Sequence, residues 1–275
     1  MILVTGATGN VGGELVRALA GAGQQVRALT RAEAPAAFPP GVEQVTGDLN
    51  KPESMRAALA GADAMFLYPG YQDMAGTLAE ARQAGVGRVV MLSGSSAASG
   101  DMTNAVSRYM IESETAVKES GLAWTMVRSF GFMSNTLQWV PQLRAGDLVR
   151  APFAGVPVAV IDPFDIAAVA AAALTSPAHE SRVYTVSGPE SLRPADRARI
   201  LGEVLGRDLR FEGQPDAEAR AEMSAAMPAA YVDAFFDFYV TGTLDESRPR
   251  PDVTDVTGRP PRTFRQWAQA HADAF

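Results

Sequence analysis

Cysteine is absent from this chain of 275 residues, and histidine occurs only as His179 and His271. Without a thiol the chain can form no disulfide, cysteine nucleophile, iron–sulfur cluster or cysteine-ligated zinc site. Two histidines in different segments also exclude a zinc site built from several imidazoles, so no metal is predicted. No serine stands in a G-x-S-x-G motif, which argues against hydrolase chemistry of that kind.

An excess of positive charge is also lacking. The 24 basic and 31 acidic residues give a net charge of −7, so no nucleic-acid partner is expected. The most apolar stretches, such as residues 166–174, fall short of the ~20 residues that a membrane span needs. The first residues are apolar without a basic region, which is not typical of a signal peptide. We therefore expect a cytoplasmic protein without a membrane partner, monomeric or homodimeric.

What is present is an ordinary globular composition, with 47% hydrophobic and 20% charged residues. Short apolar runs alternate with segments of helical periodicity through the first 130 residues, which predicts β–α–β units and a parallel sheet covered on both faces. Predicted strands cover residues 2–5, 25–30, 41–48, 64–68, 88–92 and 124–128. The expected fold is an α/β Rossmann-type, doubly wound parallel sheet, with a smaller, partly interleaved C-terminal α/β lobe. The expected domains are residues 1–150 and 151–275, the second being the substrate-binding lobe.

The alternation of predicted strands and helices is less regular after residue 150. We expect strands over 156–161 and 182–186, a helix capped by Asp165, and a helix over 193–205. A long helix over 217–240 is expected to be interrupted at Pro228, and residues 245–261 are predicted to form a surface loop.

The strongest motif is Thr5-Gly6-Ala7-Thr8-Gly9-Asn10-Val11-Gly12, which ends the first strand and opens a helix. Gly6 permits a tight turn, Gly9 lets the backbone approach a pyrophosphate, and Gly12 lets the helix pack closely on the strand. Amides at the helix N-terminus then face the phosphates. The predicted cofactor-binding residues of this motif are Gly6, Thr8, Gly9, Asn10 and Val11.

The end of the second strand bears on the choice of nicotinamide cofactor. An acidic residue there would bind the ribose 2′-hydroxyl of NAD, but no carboxylate occurs before Glu33. Arg31 instead offers a planar cation suited to a 2′-phosphate, so NADP(H) is favoured and NAD(H) stays possible. Asp48 and Leu49 follow the third strand and are expected beside the adenine. Tyr68 and Pro69 follow the fourth strand and are expected to line the cofactor cleft.

Taken together, several segments resemble the NmrA-like family of atypical short-chain dehydrogenase/reductases, particularly its NAD(P)H:quinone oxidoreductase branch. They are residues 1–12, 29–31, 47–49, Glu114, 120–128, 162–167 and 183–188. The resemblance runs nearly from end to end and implies the fold above. It does not fix the activity, because the family includes reductases, redox-sensing regulators and proteins that tailor aromatic polyketides.

The tyrosine–lysine pair of orthodox members is missing. When the register is anchored on Glu114 and residues 120–122, the tyrosine position falls near Val106 and the lysine position near Met110. Tyr109 lies next to it, but Ser113 stands where its lysine would be. Tyr109 therefore keeps only a minor claim to a catalytic role, and a pocket-lining aromatic is the alternative.

Without that pair, direct hydride transfer from the nicotinamide to an electron-poor acceptor is the simplest chemistry. Residues 93–96, Ser-Gly-Ser-Ser, follow the fifth strand, and one of their hydroxyls is expected to contact the nicotinamide or the substrate; Ser93 is the candidate chosen. A flexible loop is the alternative. The expected substrate residues are Phe130, Phe132, Met133, Asn135, Tyr231 and Phe235, although the last two belong to a cluster at helical spacing that is more often typical of a core.

The function predicted from the sequence is hydride transfer from NAD(P)H to a quinone or a polycyclic aromatic, polyketide-type small molecule. Two alternatives stay open: a dinucleotide-sensing regulator without turnover, and the reductive partner of an oxygenation step in polyketide tailoring. A cofactor-binding subunit of a larger complex is a third.

Overall fold

The computed structural model describes residues 1–31 and 38–275. Glu33 lies outside the described residues. The strands are β1 Ile2–Val4, β2 Val26–Thr30, β3 Glu43–Thr46, β4 Ala64–Leu67, β5 Arg88–Gly94, β6 Ala123–Ser129, β7 Leu148–Ala151, β8 Arg182–Val186 and β9 Arg210–Gly213. The helices are α1 Asn10–Gly21, α2 Arg56–Leu59, α3 Met74–Gln83, α4 Ala105–Glu119, α5 Val140–Ala145, α6 Pro163–Thr175, α7 Pro194–Leu205, α8 Asp216–Ala226, α9 Ala229–Phe236, α10 Asp252–Thr257 and α11 Phe264–Ala270.

Seven strands form one parallel sheet in the order β3-β2-β1-β4-β5-β6-β8. The order reverses between β1 and β4, which is the switch point at which doubly wound sheets bind their ligands. The predicted Rossmann-type α/β fold is therefore confirmed.

Each face of the sheet carries its own hydrophobic core, because side chains of a buried parallel strand alternate between two covered faces. Helices α1 and α6 pack together over one face, where Val4, Phe66 and Val90 point. Helix α3 covers the opposite face, where Leu3, Met65 and Met91 point.

The chain after residue 150 contributes to two places. Strand β8 joins the large sheet beside β6, and helix α6 covers that sheet. Strands β7 and β9 form a separate two-stranded parallel sheet, which packs against α7. The division into domains at residue 150 stays a prediction.

Three local expectations were wrong. Residues 156–161 form isolated bridges at Val158 and Ile161 instead of a strand. Asp162 caps helix α6 by accepting from the Phe164 N–H at 2.9 Å, because Pro163 occupies the first helical turn, whereas Asp165 is bound by Arg259.

The third error concerns residues 245–261. They include helix α10, and the side chains of Val253 and Glu246 are buried at 0% and 5% exposure. The segment therefore packs onto the protein and closes part of the site described next.

Candidate active site

The glycine motif forms a compact turn between β1 and α1. Gly6 has a φ of +62°, in the left-handed region that glycine adopts readily. A Cβ on Gly12 would lie 2.1 Å from the Gly6 carbonyl oxygen, so only glycine fits there. No side chain caps α1, which leaves the amides of its first turn without intrahelical acceptors. Such amides bind phosphate groups, and the close helix–strand approach fits the pyrophosphate of a dinucleotide.

A cleft of about 470 Å³ runs from this turn along the carboxyl ends of β1, β2 and β4. The structure brings nine of the predicted cofactor residues to its wall: Gly6, Thr8, Gly9, Asn10, Val11, Arg31, Asp48, Leu49 and Tyr68. Pro69 is buried behind Tyr68, and the described lining of the cleft does not include it. These residues give the cleft both polar and apolar walls.

Arg31 lies at the far end of the cleft. It directly follows β2, is exposed, and also lines a second groove of about 760 Å³ on the other side of the glycine turn. A guanidinium in this position is free to meet the adenosine end of a bound dinucleotide.

Ser93, the expected catalytic hydroxyl, lies elsewhere. Its side chain is 1% exposed and its Oγ donates to Glu114 Oε1 at 2.8 Å. Arg128 binds both oxygens of Glu114 at 2.7 Å, and Lys118 Nζ binds Oε2 at 3.1 Å. Burial alone would raise the pKa of Glu114, but its hydrogen bonds with Arg128, Ser93 and Lys118 hold that pKa below the usual value. We therefore interpret Ser93 as part of an ionic lock between α4, β5 and β6, and its catalytic role stays a prediction.

Tyr109 likewise lines neither the cofactor cleft nor the chamber at the ends of β5 and β6. Its Oη donates to the Pro69 carbonyl at 3.3 Å, and its ring lies against Gly70, where a Cβ would be 2.1 Å from Cε2. Burial raises the pKa of Tyr109, and nearby tyrosines raise it further. The hydroxyl stays protonated and bound, which agrees with a packing role better than with acid–base chemistry.

A smaller chamber of about 270 Å³ opens at the ends of β5 and β6. Four of the predicted substrate residues line it: Phe130, Phe132, Asn135 and Phe235. Phe132 lines the cofactor cleft as well, so this residue forms part of the wall of both spaces. A planar acceptor in the chamber would therefore lie next to the inner end of a bound dinucleotide.

Glu246 forms the back wall of this chamber. Its Oε1 accepts from Ser95 Oγ at 2.5 Å, and its Oε2 accepts from the Gly131 N–H at 3.3 Å and from Tyr239 Oη at 3.5 Å. No cation of the described chain forms an ion pair with it. Burial raises the pKa of Glu246 more than these three hydrogen bonds lower it, which favours the protonated carboxyl.

Ser95 rather than Ser93 therefore faces the chamber. It begins a 3₁₀ turn over Ser95–Ser99 directly after β5, which carries its hydroxyl toward Glu246. Both serines belong to the predicted segment over residues 93–96. Periodicity could not show that β5 ends at Gly94, between the two serines.

The two remaining substrate predictions fall outside the chamber. Met133 is 1% exposed and belongs to the core beneath the β7–β9 sheet. Tyr231 lines a different cavity, with Gly70 and Tyr109.

An apolar cavity of about 310 Å³ continues from the chamber and shares Phe132, Asn135 and Phe235 with it. Its walls include Phe153, Val158 and Met223, and Arg197 of α7 is its one charged lining residue among those the structure describes. Sequence reasoning missed Arg197 and Glu246, which stand in no motif, and it included Tyr239 only as a member of the aromatic cluster over residues 231–239.

Residues 1–31 and 38–275 contain neither a candidate metal site nor a helix that could cross a membrane. In these residues no group of three or more His, Cys, Asp or Glu side chains is placed to hold a metal ion. Nor does any described helix combine the length and apolarity that crossing a bilayer requires.

The comparisons with known proteins agree with this geometry. The model of a family described as NAD(P)H-binding matches residues 6–177. A reductase of (4-alkanoyl-5-oxo-2,5-dihydrofuran-3-yl)methyl phosphate from Streptomyces griseus is 42% identical, covering 100% of this chain and 99% of its own. An NAD(P)H azoreductase from Xenophilus azovorans is 39% identical, with the same coverage.

Among solved structures, an NADPH-dependent quinone oxidoreductase from Escherichia coli superposes with a TM-score of 0.81 at 21% identity, covering 99% of this chain and 100% of its own. The fold and the cleft thus define a nicotinamide-dependent oxidoreductase. The chain belongs to the NAD(P)H-binding family, and its resemblance to the NmrA-like atypical short-chain reductases is confirmed. It is an NAD(P)H-dependent reductase.

Proposed function

We propose that this protein transfers a hydride from NADPH to a conjugated, electron-poor acceptor, of which a quinone is the simplest, without a tyrosine–lysine pair. The observation that carries the proposal is the shared wall at Phe132, where the cofactor cleft meets the acceptor chamber. When bound, the reduced nicotinamide supplies the hydride. The chain binds both partners, orients them and excludes water from between them.

The chain's chemical contribution is a proton. Reduction adds a hydride and one proton to the acceptor, and the Glu246 carboxyl, whose pKa is raised by burial, lies in the chamber wall to donate that proton. The resulting carboxylate is then stabilised by the donors already in place, Ser95 Oγ, the Gly131 N–H and Tyr239 Oη. Solvent returns the proton before the next cycle.

The test follows the absorbance of the reduced nicotinamide with menadione and with an azo dye as acceptors. We expect turnover in the parent and a loss of kcat of about 100-fold in Glu246→Gln, within the range for general acids. The matched control is Glu222→Gln, an exposed glutamate of α8. No oxidation with any conjugated acceptor, despite tight NADPH binding, would favour the sensing regulator instead.

The preference for NADPH rests on Arg31. Its guanidinium lies at the end of β2, where a 2′-phosphate is recognised in this fold. In Arg31→Met we expect the Kd of NADPH to rise about 10-fold, which is ~1.4 kcal/mol. NADH provides the internal control, and an equal loss for both cofactors would contradict the assignment.

A second candidate is the reduction of a conjugated lactone. The Streptomyces griseus relative is named for a dihydrofuranone phosphate, whose ring carries a carbon–carbon double bond next to a carbonyl. The buried Glu246 favours this class, because protonation at carbon needs a positioned acid more than protonation at a hydroquinone oxygen does. A higher kcat/KM for such a lactone than for menadione would identify it; an aromatic polyketide acceptor is tested in the same assay.

A further inference from the structure

Arg197 differs from the other partly buried arginines of the described chain. Each of the others forms an ion pair with a carboxylate, as Arg128 does with Glu114 and Arg259 with Asp165. Arg197 has no such partner within 4.0 Å, and its buried Nε has no hydrogen-bond acceptor in the described structure. A buried cation without a counter-charge is costly, so the protein retains an unfavourable group here.

The surroundings of Arg197 direct it into the apolar cavity. Its guanidinium carbon lies 5.4 Å from the centre of the Trp139 ring, which limits its movement on one side. Burial lowers the pKa of Arg197 to about 10, while the nearby Tyr239 raises it, so the side chain still carries its charge at neutral pH. The rest of the wall offers the amides of Asn135 and Gln138 and otherwise mainly apolar side chains.

The position of this charge relative to the chamber limits what it can bind. The cavity and the chamber share Phe132, Asn135 and Tyr239, so one molecule can extend through both. Glu246 faces the chamber and Arg197 faces the cavity, with Tyr239 lining both spaces. An acceptor that extends through both spaces would have Glu246, the proton donor, beside the part in the chamber. The cation of Arg197 would lie beside the apolar part in the cavity.

We propose that the cavity is the site for an anionic substituent of the acceptor, a phosphate monoester or a carboxylate carried on an apolar body, and that Arg197 binds it. The planar guanidinium matches two oxygens of such a group, and binding supplies the missing counter-charge. This inference rests on the proposed function for the identity of the acceptor chamber. It goes further by naming the charge of the substrate.

The test measures binding and needs no turnover. The probes are 2-naphthyl phosphate, 2-naphthoate and the uncharged 2-naphthol, titrated calorimetrically into the protein saturated with NADP⁺. We expect the parent to bind at least one of the two anions more than about 10-fold tighter than naphthol, as a desolvated charge pair does. The preferred anion then identifies the head group as phosphate or carboxylate.

In Arg197→Met that preference is expected to disappear, with naphthol affinity changing much less than the affinity for the anion. Arg197→Lys should restore part of the preference for the anion, since lysine keeps the positive charge but lacks the planar guanidinium. The control is Arg199→Met, which removes an exposed arginine from the same helix. Equal binding of all three probes by the parent, or an equal loss for charged and neutral probes in Arg197→Met, would overturn the inference. A menadione assay on the parent separately reports whether the proposed hydride transfer itself fails.

Discussion

Two buried glutamates that contact the carboxyl end of β5 show how differently one residue type can be used. Glu114 and Glu246 are 2% and 5% exposed, and each accepts from a serine at the end of that strand. Glu114 is surrounded by Arg128 and Lys118, whereas Glu246 has only neutral donors. The pKa of the first is therefore held below its usual value and that of the second is raised. Both carboxyls are buried, so the neighbouring cations decide which one is held as a charged structural lock and which one has its pKa raised.

The largest effect is expected from breaking the lock. In Glu114→Gln, the partly buried Arg128 loses its counter-charge, and removal of one partner from such a pair costs about 3–5 kcal/mol. Urea denaturation at neutral pH measures this loss. The control is Glu112→Gln, an exposed glutamate two residues earlier in α4. A loss below about 1 kcal/mol would place Glu114 among ordinary surface ion pairs and remove the contrast.

The next effect separates the two serines. Ser93→Ala removes a hydrogen bond to a charged group, so stability should fall by about 1.5–3 kcal/mol with turnover close to that of the parent. Ser95→Ala should do the reverse, lowering kcat about 10-fold or more while costing less stability, because its partner is a carboxyl whose neutral form is favoured. Chemical denaturation and steady-state kinetics on both variants provide the comparison. A fall in kcat for Ser93→Ala alone would restore the choice made from sequence.

The glycine turn and the residues that follow the strands could be predicted from sequence, because backbone geometry determines both. The steric conflict at Gly12 is local, and the residues that follow β1, β2 and β4 meet at one edge by the rules of parallel sheets. Nine of the predicted cofactor residues therefore reach one cleft.

The residues around the acceptor could not be predicted from sequence in the same way. Glu246 comes from a segment rich in proline and charge that reads as solvated, and it meets Ser95 from 151 residues away in sequence. Arg197 stands on an amphipathic helix, where an arginine normally faces water. Burial of these groups arises only when distant segments close over them, and a single sequence carries no periodic signal for that event.

The pH dependence of stability should have opposite signs at the two glutamates. Glu114, with its lowered pKa, contributes stability above its usual value of 4.5, and that contribution is lost as the pH falls through its folded-state pKa. Glu246, with its raised pKa, contributes fully below 4.5 and less as the pH rises through its folded-state pKa. Glu246→Gln should therefore become more stable than the parent as the pH rises, by less than Glu114→Gln is destabilised.

Thermal unfolding of the parent, Glu114→Gln and Glu246→Gln across acidic to neutral pH measures both signs. The difference between Glu246→Gln and the parent should increase with pH, and the difference for Glu114→Gln should shrink toward acid. Parallel curves for the parent and Glu246→Gln would mean that Glu246 titrates as an exposed residue does, and the proton-donor role would lose its basis.

The smallest effect concerns Tyr239, the weakest of the three donors to Glu246. Its Oη lies 3.5 Å from Oε2, against 2.5 Å for the Ser95 contact, and its ring is held by Phe153 and Phe235. Tyr239→Phe keeps the ring and removes one donor to the carboxylate, which raises the pKa of Glu246 slightly. Because a general acid must be protonated, the basic limb of the kcat profile should move to higher pH, and by less than in Ser95→Ala.

Tyr184→Phe, which removes a hydroxyl bound to His179 away from the chamber, should leave the profile in place. A larger shift of the pH profile for Tyr239→Phe than for Ser95→Ala would show that the tyrosine, not the serine, sets the proton affinity of Glu246. The Ser93–Glu114 and Ser95–Glu246 pairs would then resemble each other in geometry alone.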